Sequence, residues 1–321
     1  MYKFKPVAVA LAALCVWASP AAAQEAFPNK PVRIIVPFGS GSGSDLTSRY
    51  LSDALAGPLG QPVVVDNKPG ADGAIGAAEF LKTPPDGHTL FVGSVSSNVL
   101  NPLMVKDLRY KPSDFRPVAG LLRSFGFVAT GAKSRFPTFA SFADAARAAP
   151  EAVSMASYSP TIRLASVWLE SLVGARVNHI PYRTANQIGA DLLGNHVDVA
   201  LMPAAAATSL VESGQLRALA YSGETRHPLA PDVPTVREAG LPDYVWYTWI
   251  AFYVRPGTPD PIVRRLEEVV LAAVRSDAFR TFADKNGSEP MPFDAARIAE
   301  LETSSTAIYR RLLAATEGAP R

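Results

Sequence analysis

The sequence predicts an α/β protein of two lobes, each a mostly parallel sheet flanked by helices, with two crossover strands joining the lobes. From Pro31 onward, β-branched runs of strand length alternate with segments whose apolar residues follow a helical period. That alternation is typical of βαβ units on a parallel sheet. It occurs in two halves of similar size, and the segment 246–259 then leads back to the first half. This order predicts a ligand cleft between the lobes, beyond the carboxyl ends of the strands.

The first half contains three strands and two helices, separated by turn residues. The predicted strands are 31–38, 61–67 and 89–94, and the predicted helices are 45–60 and 73–83. Gly57 and Pro58 end the first of these helices.

The second half repeats the pattern after an irregular stretch. Its predicted strands are 125–132, 153–157, 176–182, 196–202 and 215–223, and its predicted helices are 141–150, 161–174, 185–194 and 204–214. Ser141 and Asp144 form a plausible capping box for the first of these helices. Residues 260–316 are mostly helical. We expect 24–124 with 252–321 to form the first lobe and 125–251 the second.

The first 23 residues have the layout of a secretory signal peptide. Lys3 and Lys5 precede an apolar stretch, and three alanines ending at Ala23 offer a cleavage site. The apolar stretch is short for a membrane span, so a retained N-terminal anchor is the weaker alternative. We therefore expect an exported, periplasmic chain that is cleaved after Ala23.

Charge and cysteine content narrow the possible partners. The 31 basic and 29 acidic residues become 29 of each once the predicted signal peptide is removed. A neutral chain has no broad basic face for nucleic acid or anionic lipid, so we expect neither as a partner. The single cysteine, Cys15, lies in the predicted signal peptide, which leaves no disulfide or thiolate site after cleavage. A monomer is the default expectation.

The loop "GSGSGSD" at 39–45 is the clearest candidate binding element. Alternating glycine and serine also occur in flexible linkers, but this run stands at a strand end directly before a helix. There it can direct backbone N–H groups and hydroxyls toward a carboxylate. It matches neither a P-loop nor a dinucleotide-binding fingerprint. Asp45 is equally consistent with a helix N-cap and with a ligand contact.

Two further polar loops follow strands. Ser94, Ser96, Ser97 and Asn98 could donate hydrogen bonds to a ligand or cap a helix. In the other half, Tyr158 and Ser159 precede a helix whose first turn holds Arg163, which either pairs with an anion or faces solvent. The aromatic residues at 246–249 either line the cleft or pack the hinge.

Catalytic and metal-binding patterns are missing from the sequence. The histidines (His88, His179, His196 and His227) lack metal-ligand spacing, and turn or surface positions explain each of them. No Gly-x-Ser-x-Gly motif occurs, and no cysteine nucleophile survives cleavage. We therefore predict a protein that is not an enzyme and has no catalytic residues, no metal and no cofactor.

Seven short stretches in order resemble the periplasmic solute receptors of tripartite tricarboxylate transporters, the Bug family. They include "FPNKPVRIIVPFGSGSGSD", "PPDGHTLFVGS", "DLLGNHVDVAL" and "RPGTP". The resemblance covers the whole mature chain and implies a type II periplasmic-binding-protein fold that closes on a small carboxylate. It also implies delivery to membrane transporter subunits.

The resemblance and the strand-end loops together select the candidate ligand-binding residues. These are Phe38, Ser40, Gly41, Ser42, Gly43, Ser44, Asp45, Ser94, Ser96, Ser97, Asn98, Ser157, Tyr158, Ser159, Thr161, Arg163, Tyr182, Pro203 and Trp249. The chain departs from the family pattern at several of these positions. Arg163 stands where a histidine is common, and Ser96 to Asn98 replace a common Gly-Thr-His. Together Tyr158, Arg163 and Trp249 favour an aromatic or larger carboxylate.

Three functions remain compatible with the sequence. The first is a solute receptor for a transporter, and the second is a ligand sensor that signals to a kinase. The third, an exported hydrolase on the same scaffold, requires a nucleophile and a base at the cleft, and the sequence offers no such pair.

Overall fold

The computed structural model describes residues 27–317, so the predicted signal peptide lies outside the described residues. The strands are β1 (Val32–Val36), β2 (Val63–Asn67), β3 (Thr89–Ser94), β4 (Arg116–Ser124), β5 (Gly126–Gly131), β6 (Ser154–Ser157), β7 (Asn178–Pro181), β8 (Val199–Pro203), β9 (Leu216–Tyr221), β10 (Thr248–Val254) and β11 (Glu289–Pro290). The α-helices are α1 (Gly43–Leu59), α2 (Ala74–Phe80), α3 (Asn101–Met104), α4 (Phe139–Ala148), α5 (Pro160–Val173), α6 (Ala185–Leu193), α7 (Ala204–Glu212), α8 (Asp260–Val274), α9 (Asp277–Lys285) and α10 (Ala295–Glu317). A π-helical segment, Val95–Leu100, runs directly into α3.

The first sheet has the strand order β11-β4-β10-β3-β1-β2 and is covered by helices on both faces. Val32, Ile34 and Val36 point to one face, where they pack in a buried cluster with residues of α1 and α8. Ile35 points to the other face and packs with residues of α2 and α10. The alternation of side chains along β1 thus gives the sheet two buried faces.

The second sheet has the order β7-β6-β8-β5-β9 and is built in the same way. Val199 and Leu201 pack with apolar residues of α4 and α5 on one face. Ala200 and Met202 pack with residues of α6 and α7 on the other. Both faces of each sheet are therefore occupied by helices, as an α/β fold requires.

The structure confirms the α/β class, although the sheets are mixed rather than mostly parallel. Neighbouring strands such as β1 and β3, or β6 and β8, pair in parallel as predicted. By contrast, β10 is antiparallel to β3, and β5 is antiparallel to β8. Both β5 and β10 enter their sheet from the side of the other sheet. The carboxyl ends of β3 and β8 lie on that same side of their sheets. The strands β10 and β5 must therefore run antiparallel to them.

The chain passes between the two sheets twice. It leaves the first sheet after Ser124 and enters the second at Gly126. It returns to the first sheet at Thr248, which pairs with Ser124. The sequence placed this return slightly later, at residue 252. Among the described residues, no helix combines the length and apolar character that a bilayer span requires.

The start of α4 corrects one local prediction. Its N-cap is Thr138, whose side chain accepts a hydrogen bond from the Ser141 amide at 3.1 Å. The Ser141 hydroxyl in turn accepts a bond from the Thr138 amide at 3.1 Å. Ser141 is therefore the inner partner of the capping box and not its first residue, because the helix begins at Phe139, two residues earlier than predicted.

Candidate ligand-binding site

A cavity of about 640 Å³ lies between the two sheets and is lined by residues from both. Twelve of the residues predicted from the sequence lie in its wall: Phe38, Gly41, Ser42, Gly43, Ser44, Ser94, Ser96, Tyr158, Ser159, Thr161, Pro203 and Trp249. The volume lies within the range of about 300–1,000 Å³ that is usual for small-molecule sites.

Four strands end at this cavity, and a helical segment follows each of them, directly after β3 and β8 and after a short loop for β1 and β6. The carboxyl ends of β1 and β3 lead to α1 and to the Val95 segment, and those of β6 and β8 lead to α5 and α7. Residues at the first or second position of all four helical segments lie in the cavity wall. Carboxyl ends of neighbouring strands meet at one edge of a sheet, which explains why the four helix starts converge.

Serine caps at three of these helices leave the first amides free. The side chains of Ser42, Ser94 and Ser159 each accept a hydrogen bond from the amide three residues further on, at 3.3 Å in all three cases. The N–H groups one and two residues after Ser42 and Ser94 have no acceptor within their helical segment. After Ser159 the same holds for Thr161 alone, because Pro160 has no N–H. Among these N–H groups are those of Gly43 and Ser96, which lie in the wall.

The helix α7 starts without a side-chain cap. Its N-cap is Pro203, and the Ala204 amide donates to the carbonyl of Phe125 at 3.0 Å. Ala205, the next residue, lies in the cavity wall. Its amide is the second in the helix and again has no acceptor within that helix.

Among the described residues, the cavity is lined by helix starts and not by charged side chains. The described cavity wall contains no aspartate, glutamate, lysine, arginine or histidine. Helix N-termini carry partial positive charge and favour an anion. Burial raises the pKa of the Tyr158 hydroxyl, which therefore stays neutral and can donate or accept a hydrogen bond. The arrangement suits an anion held by uncharged donors.

Asp45 orders the glycine-serine loop from behind the wall. One carboxylate oxygen, Oδ2, accepts hydrogen bonds from the Gly41 amide at 2.9 Å and from Arg49 Nε at 3.1 Å. The other, Oδ1, accepts one from Asn67 Nδ2 at 2.9 Å. Burial by itself raises the pKa of Asp45, but the hydrogen bonds from Arg49, Gly41 and Asn67 hold the pKa below its usual value. Ser42 and not Asp45 is the N-cap of α1.

Ser97 and Asn98 also lie behind the wall. The Ser97 hydroxyl donates to Asn98 Oδ1 at 2.8 Å, and Asn98 Nδ2 donates to Glu302 Oε1 at 3.1 Å. The Tyr253 hydroxyl donates to the same Glu302 oxygen at 2.9 Å. Burial raises the pKa of Glu302, and the two hydrogen bonds oppose that rise. This network fixes the segment that carries Ser94 and Ser96.

The other predicted residues outside the cavity wall are Ser40, Ser157, Arg163 and Tyr182. Ser157 ends β6 and is buried. Arg163 Nη1 is buried without an acceptor among the described residues, and burial lowers the pKa of Arg163, with Glu170 opposing the shift. The Tyr182 hydroxyl donates to Asp191 at 2.6 Å, and burial together with Asp191 raises the pKa of Tyr182 to about 12.

Sequence reasoning missed several wall residues. They are Leu46, Thr47, Val95, Leu122, Ser124, Phe125, Ile162, Ala205, Thr248, Ile250, Asn286 and Ser288. Some adjoin predicted residues, so a wider reading of the same loops would have included them. Asn286 and Ser288 lie between α9 and β11, and no local motif marks them. The Ser288 hydroxyl lies 2.5 Å from that of Ser124, which connects this segment to the first crossover.

The described residues also contain no cluster of three or more histidine, cysteine, aspartate or glutamate side chains able to hold a metal ion. No histidine of the described chain lies in the cavity wall. His179, for example, lies 2.7 Å from a carboxylate oxygen of Glu170, outside the cavity wall.

The similarity of this chain to known proteins extends over both sheets. A model described as the tripartite tricarboxylate transporter family receptor matches residues 47–316. A UPF0065 protein of Bordetella pertussis is 32% identical over 286 residues, 88% of each chain. A solved TctC solute binding protein from Polaromonas has a TM-score of 0.80 at 27% identity, over 89% of this chain and 99% of that one. An R. palustris protein solved with adipate has a TM-score of 0.75 at 27% identity, over 89% and 97%.

Proposed function

The chain belongs to the tripartite tricarboxylate transporter receptor family, and from that premise we propose that it captures a small carboxylate between its two lobes. The family and the fold are those of two-lobed solute-binding proteins. The observation that carries the proposal is the convergence of four helix starts on a cavity whose described wall has no charged side chain. Free first-turn amides offer an acid several hydrogen bonds and a favourable potential.

Carboxylate binding also has support from a solved relative. The R. palustris protein, which shares this fold, holds adipate. In the chain described here, the hydroxyls of Ser44, Ser96 and Thr161 add donors beside the helix starts. A carboxylate that accepts several such bonds stays ionised inside a site from which water is excluded.

We assign the protein to the periplasm, where a monomer would deliver its acid to the membrane subunits of a tripartite transporter. The signal-peptide layout of the first 23 residues supports export. A sensor that reports its ligand to a kinase would use the same closing motion. Neighbouring genes for permease subunits would favour transport, whereas a neighbouring kinase gene would favour sensing.

We further propose that binding involves no chemical step. Hydrolysis by a serine needs a general base within hydrogen-bond reach of the hydroxyl. The described wall offers serines, but no histidine, carboxylate or lysine beside them. An exported hydrolase is therefore the candidate with the least support.

The test is a thermal-shift screen of refolded protein, since refolding removes any acid that copurifies. The panel comprises succinate, adipate, citrate, hexanoate and benzoate, each paired with its uncharged amide. An acid at about one hundred times its Kd stabilises the folded chain by about 2.7 kcal/mol, which raises Tm clearly. We expect at least one acid to raise Tm and its amide to have a much smaller effect. Equal effects of acids and amides, or no effect of any acid, would contradict the proposal.

A further inference from the structure

Trp249 contributes an unpaired donor to the wall of the ligand cavity. It lies on β10 with 2% of its surface exposed, and it is one of the residues that line the cavity. Its Nε1 is buried and has no hydrogen-bond acceptor among the described residues. Leaving a buried N–H unpaired costs free energy, and native proteins rarely do so. A ligand atom could supply the missing acceptor.

Trp246 shows that the fold does provide such acceptors elsewhere. This second tryptophan of the wall donates its indole N–H to the Tyr309 hydroxyl on α10, at 3.3 Å. The two indoles lie on the same return segment and line the same cavity. The lack of an acceptor for the Trp249 indole is therefore a local property of that position.

The surroundings of Trp249 decide which acceptor fits. It packs in a buried apolar cluster with Val95, Val99 and Leu164. A carboxylate placed there would exchange its hydration for a single hydrogen bond, which is a poor exchange. A carbonyl, ether or ring nitrogen loses far less hydration. The position therefore favours a neutral acceptor.

The rest of the wall indicates what the acceptor is attached to. Phe38, Phe125 and Ile250 present apolar surface to the cavity, and the helix starts supply its polar part. One acidic group at the helix starts leaves the remaining volume to an uncharged body. A volume of about 640 Å³ accommodates a body of aromatic size.

We propose that the ligand is an acid with one carboxylate and a bulky apolar body that carries a neutral hydrogen-bond acceptor, and that the Trp249 indole N–H selects it by donating to this acceptor. The inference rests on the proposed function, because the carboxylate is assigned to the helix starts. Trp249 is thus a specificity-determining residue, with a role separate from holding the acidic group.

Calorimetric titration of refolded protein with two matched pairs of acids tests this inference. The pair 4-oxo-4-phenylbutanoate and 4-phenylbutanoate differs by one ketone oxygen, and the pair hexanoate and adipate differs by the second carboxylate. We expect the keto acid to bind about 2- to 10-fold more tightly than its match, the effect of one neutral hydrogen bond. We also expect hexanoate to bind more tightly than adipate.

Two variants separate the indole donor from the indole ring. Trp249→Phe keeps an aromatic ring and should abolish the preference for the keto acid. Trp246→Phe is the matched control, because its indole donates to Tyr309. This variant changes the same wall but should keep the preference for the keto acid, even if the affinities for the keto acid and for its match both fall. An NMR titration of the native chain, with indole signals assigned by elimination, follows the Trp249 N–H directly and does not depend on how Trp249→Phe folds.

The outcomes are distinguishable. Equal affinities for the keto acid and its match, a preference retained in Trp249→Phe, or an indole signal that the keto acid does not shift would overturn the role of Trp249. Adipate binding more tightly than hexanoate would overturn the single-carboxylate assignment and leave the proposed function standing. A chain that binds no acid at all would overturn both.

Discussion

At the scale of single residues, Asp45 shows how a carboxylate can order a loop of the cavity wall from behind that wall. The residue is 1% exposed, and its carboxylate accepts a hydrogen bond from the Gly41 amide of the glycine-serine loop. Arg49 and Asn67 balance its charge and fill its remaining acceptor positions. Removing this carboxylate should therefore loosen the loop as well as destabilise the fold.

We expect Asp45→Asn to lower the free energy of unfolding at pH 7 by about 1.5–3 kcal/mol, the usual value of hydrogen bonds to a charged group. Because the folded pKa of Asp45 lies below that of the unfolded chain, its stabilisation is complete above about pH 4 and is lost as the pH falls through the folded value. The difference between variant and native protein should therefore shrink toward pH 3, as measured by urea unfolding.

Asp53→Asn is the control for this prediction, because Asp53 is an exposed acid on the same helix. It should change stability by less than about 0.5 kcal/mol at either pH. A deficit of the same size at pH 3 and pH 7 in Asp45→Asn would show that the ionised carboxylate is not what stabilises the loop.

At the scale of elements, the junctions between strand and helix are packed closely enough to exclude one methyl group. A Cβ added at Gly76 in α2 would lie 2.7 Å from Pro37 Cβ, 2.9 Å from Pro37 Cα and 3.0 Å from the Lys68 carbonyl oxygen. Pro37 and Lys68 directly follow β1 and β2. The helix α2 can thus approach the two strand ends closely because Gly76 has no side chain.

We expect Gly76→Ala to destabilise the fold by about 1–3 kcal/mol, since two backbone segments would have to move apart. Gly189→Ala in α6 is the matched variant. Its added Cβ would meet Leu210 Cδ1 at an ordinary 3.6 Å. Alanine in a helix interior should then stabilise by about 0.5–1 kcal/mol. Urea unfolding of both variants tests the pair, and effects of the same sign would refute the packing argument.

At the scale of the whole molecule, the two lobes meet directly at their helix starts. The Ser96 hydroxyl lies 3.4 Å from the Thr161 hydroxyl, which joins the segment after β3 to the first turn of α5. Both residues also line the cavity. The two halves of the fold therefore touch within the cavity wall.

Because Cys15 is the only natural cysteine, the pair Ser96→Cys and Thr161→Cys can form a defined cross-link in cleaved protein. We expect the oxidised form to bind an acid found in the thermal-shift screen at least about tenfold more slowly, since the bond blocks hinge opening. Stopped-flow fluorescence before and after reduction measures this. The single Ser96→Cys variant should respond to neither treatment. Unchanged rates in the oxidised pair would mean that entry needs no separation of the lobes here.

The sequence by itself determined the α/β class, the order of the elements and the loops that line the cavity. These are local properties, since hydrophobic periodicity and turn residues are visible within a short stretch of chain. The sequence predicted the glycine-serine loop, the Ser94 segment and the Ser159 segment at strand ends. The structure has all three there, facing the cavity. The family, inferred from ordered short motifs, is confirmed.

Only the tertiary structure decided which side chains of those loops face the cavity and which support it from behind. In the sequence, Asp45 and Asn98 look like ligand contacts. In the structure, Asp45 is hydrogen-bonded to Asn67 and Asn98 to Glu302, both distant in the chain. Likewise Asn286 and Ser288 reach the wall only because α9 and β11 lie beside the crossover. The direction of a side chain depends on contacts between distant segments, and the chain must fold before those contacts exist.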